Sequence, residues 1–272
     1  VSPVNDRAWA SAILVPKHCQ DWKMSSRLRL TFACIVAALV LGVLPAHAAQ
    51  QVLRVGVLDN SPPMAFRSAD GRLTGFSVEI IRAVCDEMQV RCDLQVTTLE
   101  RVVDSLAGGE FDIAAVSLLD TPERRARILF AHPYFRSVSL WFAKPGVMPG
   151  ERGLRIAVVK GSAQESYARK QGWDTVAVPT NGELGLPLIA GVAQAAIIPM
   201  ATSLNLMNHK DFRNLGLSST VMKVPELIGN ASFGISPRHP ELKESVDNAL
   251  DRIKRNGIYE RINSQFLPFR VH

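Results

Sequence analysis

The stretch Ser117-Leu118-Leu119-Asp120-Thr121-Pro122-Glu123-Arg124, with Phe130-Ala131-His132-Pro133-Tyr134-Phe135 after it, decides how the chain reads. Residues 111–118 are almost wholly apolar, the pattern of a strand at the centre of a sheet covered on both faces. They break into a helix start. Thr121 suits the N-cap, Pro122 the first helical position, and Glu123 complements the positive end of the helix dipole. Free N–H groups at such a terminus attract anions, and Arg124 adds a planar fork of donors suited to a carboxylate or phosphate. Taken alone, the stretch reads first as an ordinary capped helix with a solvated arginine, because capped helices are common. The rest of the chain has to decide.

Working back to the start, residues 24–48 have the form of a secretory signal peptide. Arg27 and Arg29 form the basic start, residues 32–44 the apolar stretch, and Ala46-His47-Ala48 an A-x-A cleavage site. About 13 apolar residues are too few for a spanning helix, which needs roughly 20. Residues 1–23 fit no part of a signal peptide, so translation is expected to begin at Met24 and the mature chain near Ala49. The formal charge of the whole chain is +6; without residues 1–48, which hold five basic and two acidic side chains, it falls to +3. That is too weak for a nucleic-acid footprint, and no basic run with interleaved aromatics occurs.

Two cysteines, Cys85 and Cys92, remain after the signal peptide, and in an oxidising compartment a pair this close is expected to bond. The scattered histidines make no ligand spacing with them, so no metal is expected, and no cofactor motif is present.

Residues 53–57 form a short strand, and Asp70-Gly71 marks a hairpin turn. From Ser77 the apolar residues Val78, Ile81, Val84, Cys85 and Met88 share one helical face. A strand over 94–97, a helix over 99–107 stopped by Gly108-Gly109, and the apolar strand 111–118 complete a β-α-β-α-β unit. Ligands of such sheets sit at the carboxyl ends of the strands, where Ser117 and Arg124 fall. After a strand at 138–143 and a connector at 144–150, the pattern restarts. Strands at 154–159, 175–178 and 195–198 alternate with helices at 164–170, 183–190 and 201–207, and Gly161-Ser162 makes a tight turn. A strand at 231–235, a helix at 240–254 and a last helical stretch through Ile258, Ile262 and Phe266 follow. Two α/β lobes imply a cleft between them. Enzyme motifs are missing: no phosphate loop, no G-x-S-x-G elbow, no H-E-x-x-H. Glu110 and Asp112 read as solvated, and His132 as a turn or surface residue.

Leu53-Arg54-Val55-Gly56, Pro63-x-x-Phe66, Gly71-x-x-x-Gly75-Phe76-Ser77-Val78-Glu79 and Gly109-x-Phe111-Asp112 follow one another along the chain. Thr121-Pro122-Glu123-Arg124, Pro133-Tyr134, Val159-x-Gly161-Ser162-Ala163-Gln164-Glu165 and Asn256-Gly257-x-Tyr259 continue the series. In order and spacing these motifs, which span nearly all of the chain from Leu53 to about Pro268, resemble the periplasmic solute-binding proteins of the family-3 type, which serve amino-acid ABC importers. Cys85 and Cys92 also match a cysteine pair of some basic-amino-acid binders in the family. The resemblance implies the type II periplasmic-binding fold: two α/β lobes, each with a mostly parallel sheet, closing on a ligand between them. Lobe 1 is expected over 49–141 and 231–272 and lobe 2 over 142–230, with the chain crossing near 139–143 and 230–234. By resemblance Arg124 grips the ligand carboxylate, Ser117 and Leu119 assist from the strand end, and Ser162 and Ala163 close over it. Ser61, Met64, Phe66 and Leu99 would line the side-chain end.

Several positions depart from the family pattern. Leu119 and Ala163 stand where a hydroxyl is usual. Gln194 and Pro199 stand where relatives usually carry aspartates, the second of which pairs with the ligand ammonium. Pro199 brings neither charge nor donor, and a buried ammonium without a partner costs several kcal/mol. Either Asp59 or Glu183 supplies the counter-charge, or the ligand is not an ordinary α-amino acid. The reading is a monomeric periplasmic component of an ABC importer, handing an amino acid or related small carboxylate-bearing solute to an inner-membrane permease. A cyclohexadienyl dehydratase-like enzyme on the same scaffold and a ligand-sensing receptor domain are the alternatives.

Overall fold

Strands β1 (Val52–Val57) and β6 (Ile113–Leu119) lie side by side and parallel at the middle of one sheet. The alternation of β6 explains why both faces are covered. Ile113 and Ala115 join the core built with helix α1 (Phe76–Glu87), while Ala114, Val116 and Leu118 join the opposite core with α2 (Val102–Gly108). β5 (Arg91–Val96) pairs parallel with the other edge of β1, so the first unit has the β-α-β-α-β path that its apolar periodicity predicts. The computed structural model describes residues 51–270; the expected leader and the residues before it lie outside the described residues.

A second sheet repeats the design. β9 (Arg155–Val159) lies between β10 (Asp174–Val178) and β11 (Ala195–Pro199), all parallel. Ala196 and Ile198 of β11 face one core, Ala195 and Ile197 the other. Helix α4 (Ala163–Lys170) follows β9, and α6 (Met200–Leu206) follows β11.

Two long strands join the halves. β8 (Phe135–Ala143) pairs antiparallel with β13 (Ile228–Ile235) from Phe135↔Ala231 to Val138↔Ile228. Beyond that segment they part: residues 139–143 of β8 pair with β11, and Ala231 to Ile235 of β13 pair with β6. The strand order β10-β9-β11-β8-β13-β6-β1-β5 is therefore continuous. It is also mixed, because β8 and β13 run antiparallel to their neighbours. Helices α8 (Glu241–Arg255) and α9 (Ile258–Phe266) return to pack on α1.

Three local expectations need correction, and two further elements are present. Helix α3 (Pro122–Arg125) is a single turn, too short to build a dipole worth an anion site, although Thr121 does cap it. The helix expected over 183–190 is a 3₁₀ turn (Asn181–Glu183) and a short α5 (Leu186–Ile189); Pro187 fits only a first turn and prevents a continuous helix. Helix α7 (Lys210–Asn214) and edge strand β12 (Ser218–Val221) escape sequence reading, the strand because all four residues are exposed and show no alternation. Asp112 is not solvated but buried against Arg54 at 2.7 Å. Burial alone would raise its pKa, yet the hydrogen bonds from Arg54 hold the carboxyl below the ordinary value.

Cys85 and Cys92 are bonded, with Cα atoms 6.1 Å apart, tying the end of α1 to β5 across a sequence separation of 7. Replacing both by serine is expected to lower unfolding free energy by about 2–3 kcal/mol on the chain-entropy account of so short a loop. Chemical denaturation of the double variant in oxidising buffer measures the loss.

Candidate functional site

The carboxyl end of β6 opens onto a cavity of about 70 Å³ between the two lobes. At its floor Ser117 adopts φ 56°, a left-handed conformation unusual for a residue with a side chain. A closed ring of hydroxyls holds it there. Ser77 Oγ lies 2.7 Å from Ser117 Oγ and 2.8 Å from the Tyr134 hydroxyl, which also bonds Ser117. Tyr134 is fully buried, its ring centroid 4.4 Å from Phe233 and 5.8 Å from Phe76 in stacked contacts. Burial pushes its pKa well up, so the hydroxyl stays protonated.

Arg124 is half-buried on the cavity wall. Its Nη1 donates to the Leu119 carbonyl at 3.0 Å, and its Nη2 crosses the cleft to the Gly161 carbonyl at 3.1 Å. Both partners are neutral. Burial of the guanidinium pulls its pKa down to about 10, an effect that Glu123 partly opposes, so it remains a cation at neutral pH. It is the only charged side chain lining this cavity among the described residues. Arg124 also lines a second, outer cavity of about 520 Å³ with Asp120, Glu123, Lys170 and Glu226.

Lobe 2 supplies the turn at Gly161. Its φ of 75° and the 2.4 Å that a Cβ would leave to Glu100 Cα mean that only glycine fits where this loop meets lobe 1. Ser162 caps α4 by accepting from the Glu165 N–H at 3.0 Å, and Glu165 accepts from the Gly161 N–H at 2.7 Å. Further bonds tie the lobes together: Lys170 to Glu123 at 2.7 Å, Lys160 to Glu100 at 3.0 Å, Asn60 to Thr180 at 2.9 Å, and Asn181 to Ser61 at 3.1 Å.

Of the residues singled out from sequence, the cavity gathers Arg124, Ser117, Leu119, Ser162, Ala163, Ser61, Met64, Leu99 and Pro199. Two are not among them. Phe66 packs edge-on against Phe266, 6.5 Å between centroids, because β3 (Ala65–Arg67) turns that side chain away from the cleft. Asp59 is pulled outward by Arg67 at 3.3 Å. Glu183, the other candidate counter-charge, accepts the Thr180 hydroxyl at 2.8 Å and does not line the cavity either. His132 sits by Asp247 and Asp251 of α8, away from the cleft. Sequence reasoning missed Ser77, Ser137, Gln164, Asn181 and Thr202. Asn181 and Thr202 follow the carboxyl ends of β10 and β11, so the strand-end rule already used for Ser117 would have found them. Ser77 gave a weaker signal, a polar residue in the buried first turn of α1.

Residues 53–269 match the sequence profile of the bacterial extracellular solute-binding proteins, family 3. The chain belongs to this family. It is 26% identical to the L-arginine-binding protein of Pseudomonas aeruginosa over 255 residues, 88% of this chain and 97% of that one. It is 24% identical to the lysine/arginine/ornithine-binding periplasmic protein of Escherichia coli, over 83% of this chain and 91% of that one. Among solved structures, an ancestral arginine-binding protein bound to arginine superposes with a TM-score of 0.69 at 22% identity, covering 79% of this chain and 98% of that one. The fold is thus the two-lobe type II periplasmic-binding fold.

The hydroxyl ring is open to test. Tyr134→Phe leaves Ser77 and Ser117 bonded to each other and is expected to lower stability by about 1 kcal/mol, the net worth of a buried hydroxyl's bonds. Urea titration of the variant beside the parent measures it.

Proposed function

We propose that this protein is the periplasmic substrate-binding component of an ABC importer, holding an amino acid or related small carboxylate-bearing solute between its lobes. The observation that carries the reading is Arg124, a half-buried cation at the cavity wall whose two side-chain partners are carbonyls. A carboxylate is the ligand group that such a fork accepts in two parallel bonds. The names of the relatives, all binding proteins, support binding and release without bond chemistry.

In this reading Ser117 and Leu119 steady the carboxylate from lobe 1, and Ser162 and Ala163 meet it from lobe 2. Ser61, Met64, Leu99 and Pro199 shape the rest of the cavity. Bending would fall where β8 and β13 pair, residues 135–138 against 228–231, since these are the strands shared by the lobes. The ligand shifts the open–closed equilibrium by its preference for the closed form. In the same reading the protein acts as a monomer and passes its cargo to a permease in the inner membrane after export by the leader at 24–48.

Arg124→Ala is expected to weaken ligand binding by about 100-fold or more in calorimetry, with the thermal transition kept, because a charge-assisted bidentate pair is lost. Gly161→Ala is expected to weaken it by about tenfold or more while sparing the fold of each lobe, since its Cβ would meet Glu100 only when the lobes approach. Near-parental affinity in Arg124→Ala would sink the clamp.

A further inference from the structure

We infer that the ligand of the inner cavity is a small monocarboxylic acid whose remaining part is uncharged, a hydroxy or oxo acid rather than an α-amino acid. This rests on the carboxylate-clamp reading and narrows it. Charge balance sets the class of ligand. Arg124 brings the single formal charge on the cavity wall, and one carboxylate neutralises it. A zwitterion would add an ammonium, leaving the closed site with a net positive charge and no anion to meet it.

The nearby carboxylates lie outside the wall of this cavity and most are engaged elsewhere; the exception is the buried Oδ1 of Asp120, which has no partner among the described residues and belongs to a residue lining the outer cavity. Asp59 pairs with Arg67, Glu183 accepts from Thr180, Asp120 pairs with Arg125, Glu123 with Lys170, and Glu100 with Lys160. None of them lines the cavity. Where a second polar group of the ligand would fall, the wall instead offers neutral partners. Asn181 donates to Ser61 at 3.1 Å and accepts from Thr202 at 3.4 Å. Such hydroxyls and amides can give as well as take a hydrogen bond, which matches a hydroxyl or carbonyl. Pro199, beside them at the end of β11, has no N–H to offer and presents only its ring. The relatives' names point to cationic amino acids; the charge balance of this cavity points away from them.

The test is calorimetry at pH 7 with acid pairs that share a skeleton and differ only at the α-substituent. Suitable pairs are L-lactate and L-alanine, 2-hydroxybutanoate and 2-aminobutanoate, and 2-hydroxy-3-methylbutanoate and L-valine, each with its 2-oxo counterpart. For any skeleton that binds, the uncharged member is expected to bind about tenfold or more tighter. Pro199→Asp sets a carboxylate on the wall at an N-cap position that aspartate favours, and is expected to narrow that ratio about tenfold or reverse it. An amino acid binding the parent protein as tightly as its hydroxy partner overturns the inference and leaves the clamp intact. Binding of neither series, or binding unaffected by Arg124→Ala, overturns the clamp and the inference with it.

Discussion

The guanidinium of Arg124 reaches two carbonyls that belong to different lobes, Leu119 at the end of β6 and Gly161 after β9. Much of the site's geometry answers to that placement. Thr121 and Pro122 form a single helical turn that aims Arg124 back along the strand end, and the short Ser162–Glu165 cap fixes the opposing loop. The cation is desolvated enough to lower its pKa, yet faces only neutral acceptors. A partly buried guanidinium held only by neutral acceptors is poised to interact strongly with an anion.

The scaffold supports this placement from both sides of the cleft. The β8–β13 pairing is the strand segment that the two sheets share. Ion pairs at the rim, Lys170 with Glu123 and Lys160 with Glu100, are solvent-exposed and contribute little energy, so they serve register more than affinity. The lysine at Glu123 comes first among the groups that draw its pKa down to about 2, which keeps that rim pair ionised over the physiological range.

Much of this was legible in the sequence. The apolar runs of β6 and β11 announce strands covered on both sides, and Gly161-Ser162 announces a turn into a helix. Alternation and capping are local signals, and they survive folding. What escaped depended on side-chain partners that local patterns do not reveal. Phe66 carried a motif position, but its direction is set by Phe266, 200 positions on. Asp59 looked available until Arg67 claimed it. Asp112 read as solvated because nothing near it reveals Arg54. Ser77, Asn181 and Thr202 are small polar residues whose role exists only once strand ends converge. The helix start at Thr121 was legible, but not that it would stop after one turn.

On this reading Arg124 exchanges neutral carbonyl partners for a ligand carboxylate, and a crystal structure of the protein with its bound solute is the decisive test. Both carboxylate oxygens are expected at about 2.7–2.9 Å from the Arg124 guanidinium nitrogens, with the Gly161–Ser162 turn closed over them. A bound solute whose carboxylate lies elsewhere, with Arg124 still spent on Leu119 and Gly161, would contradict it.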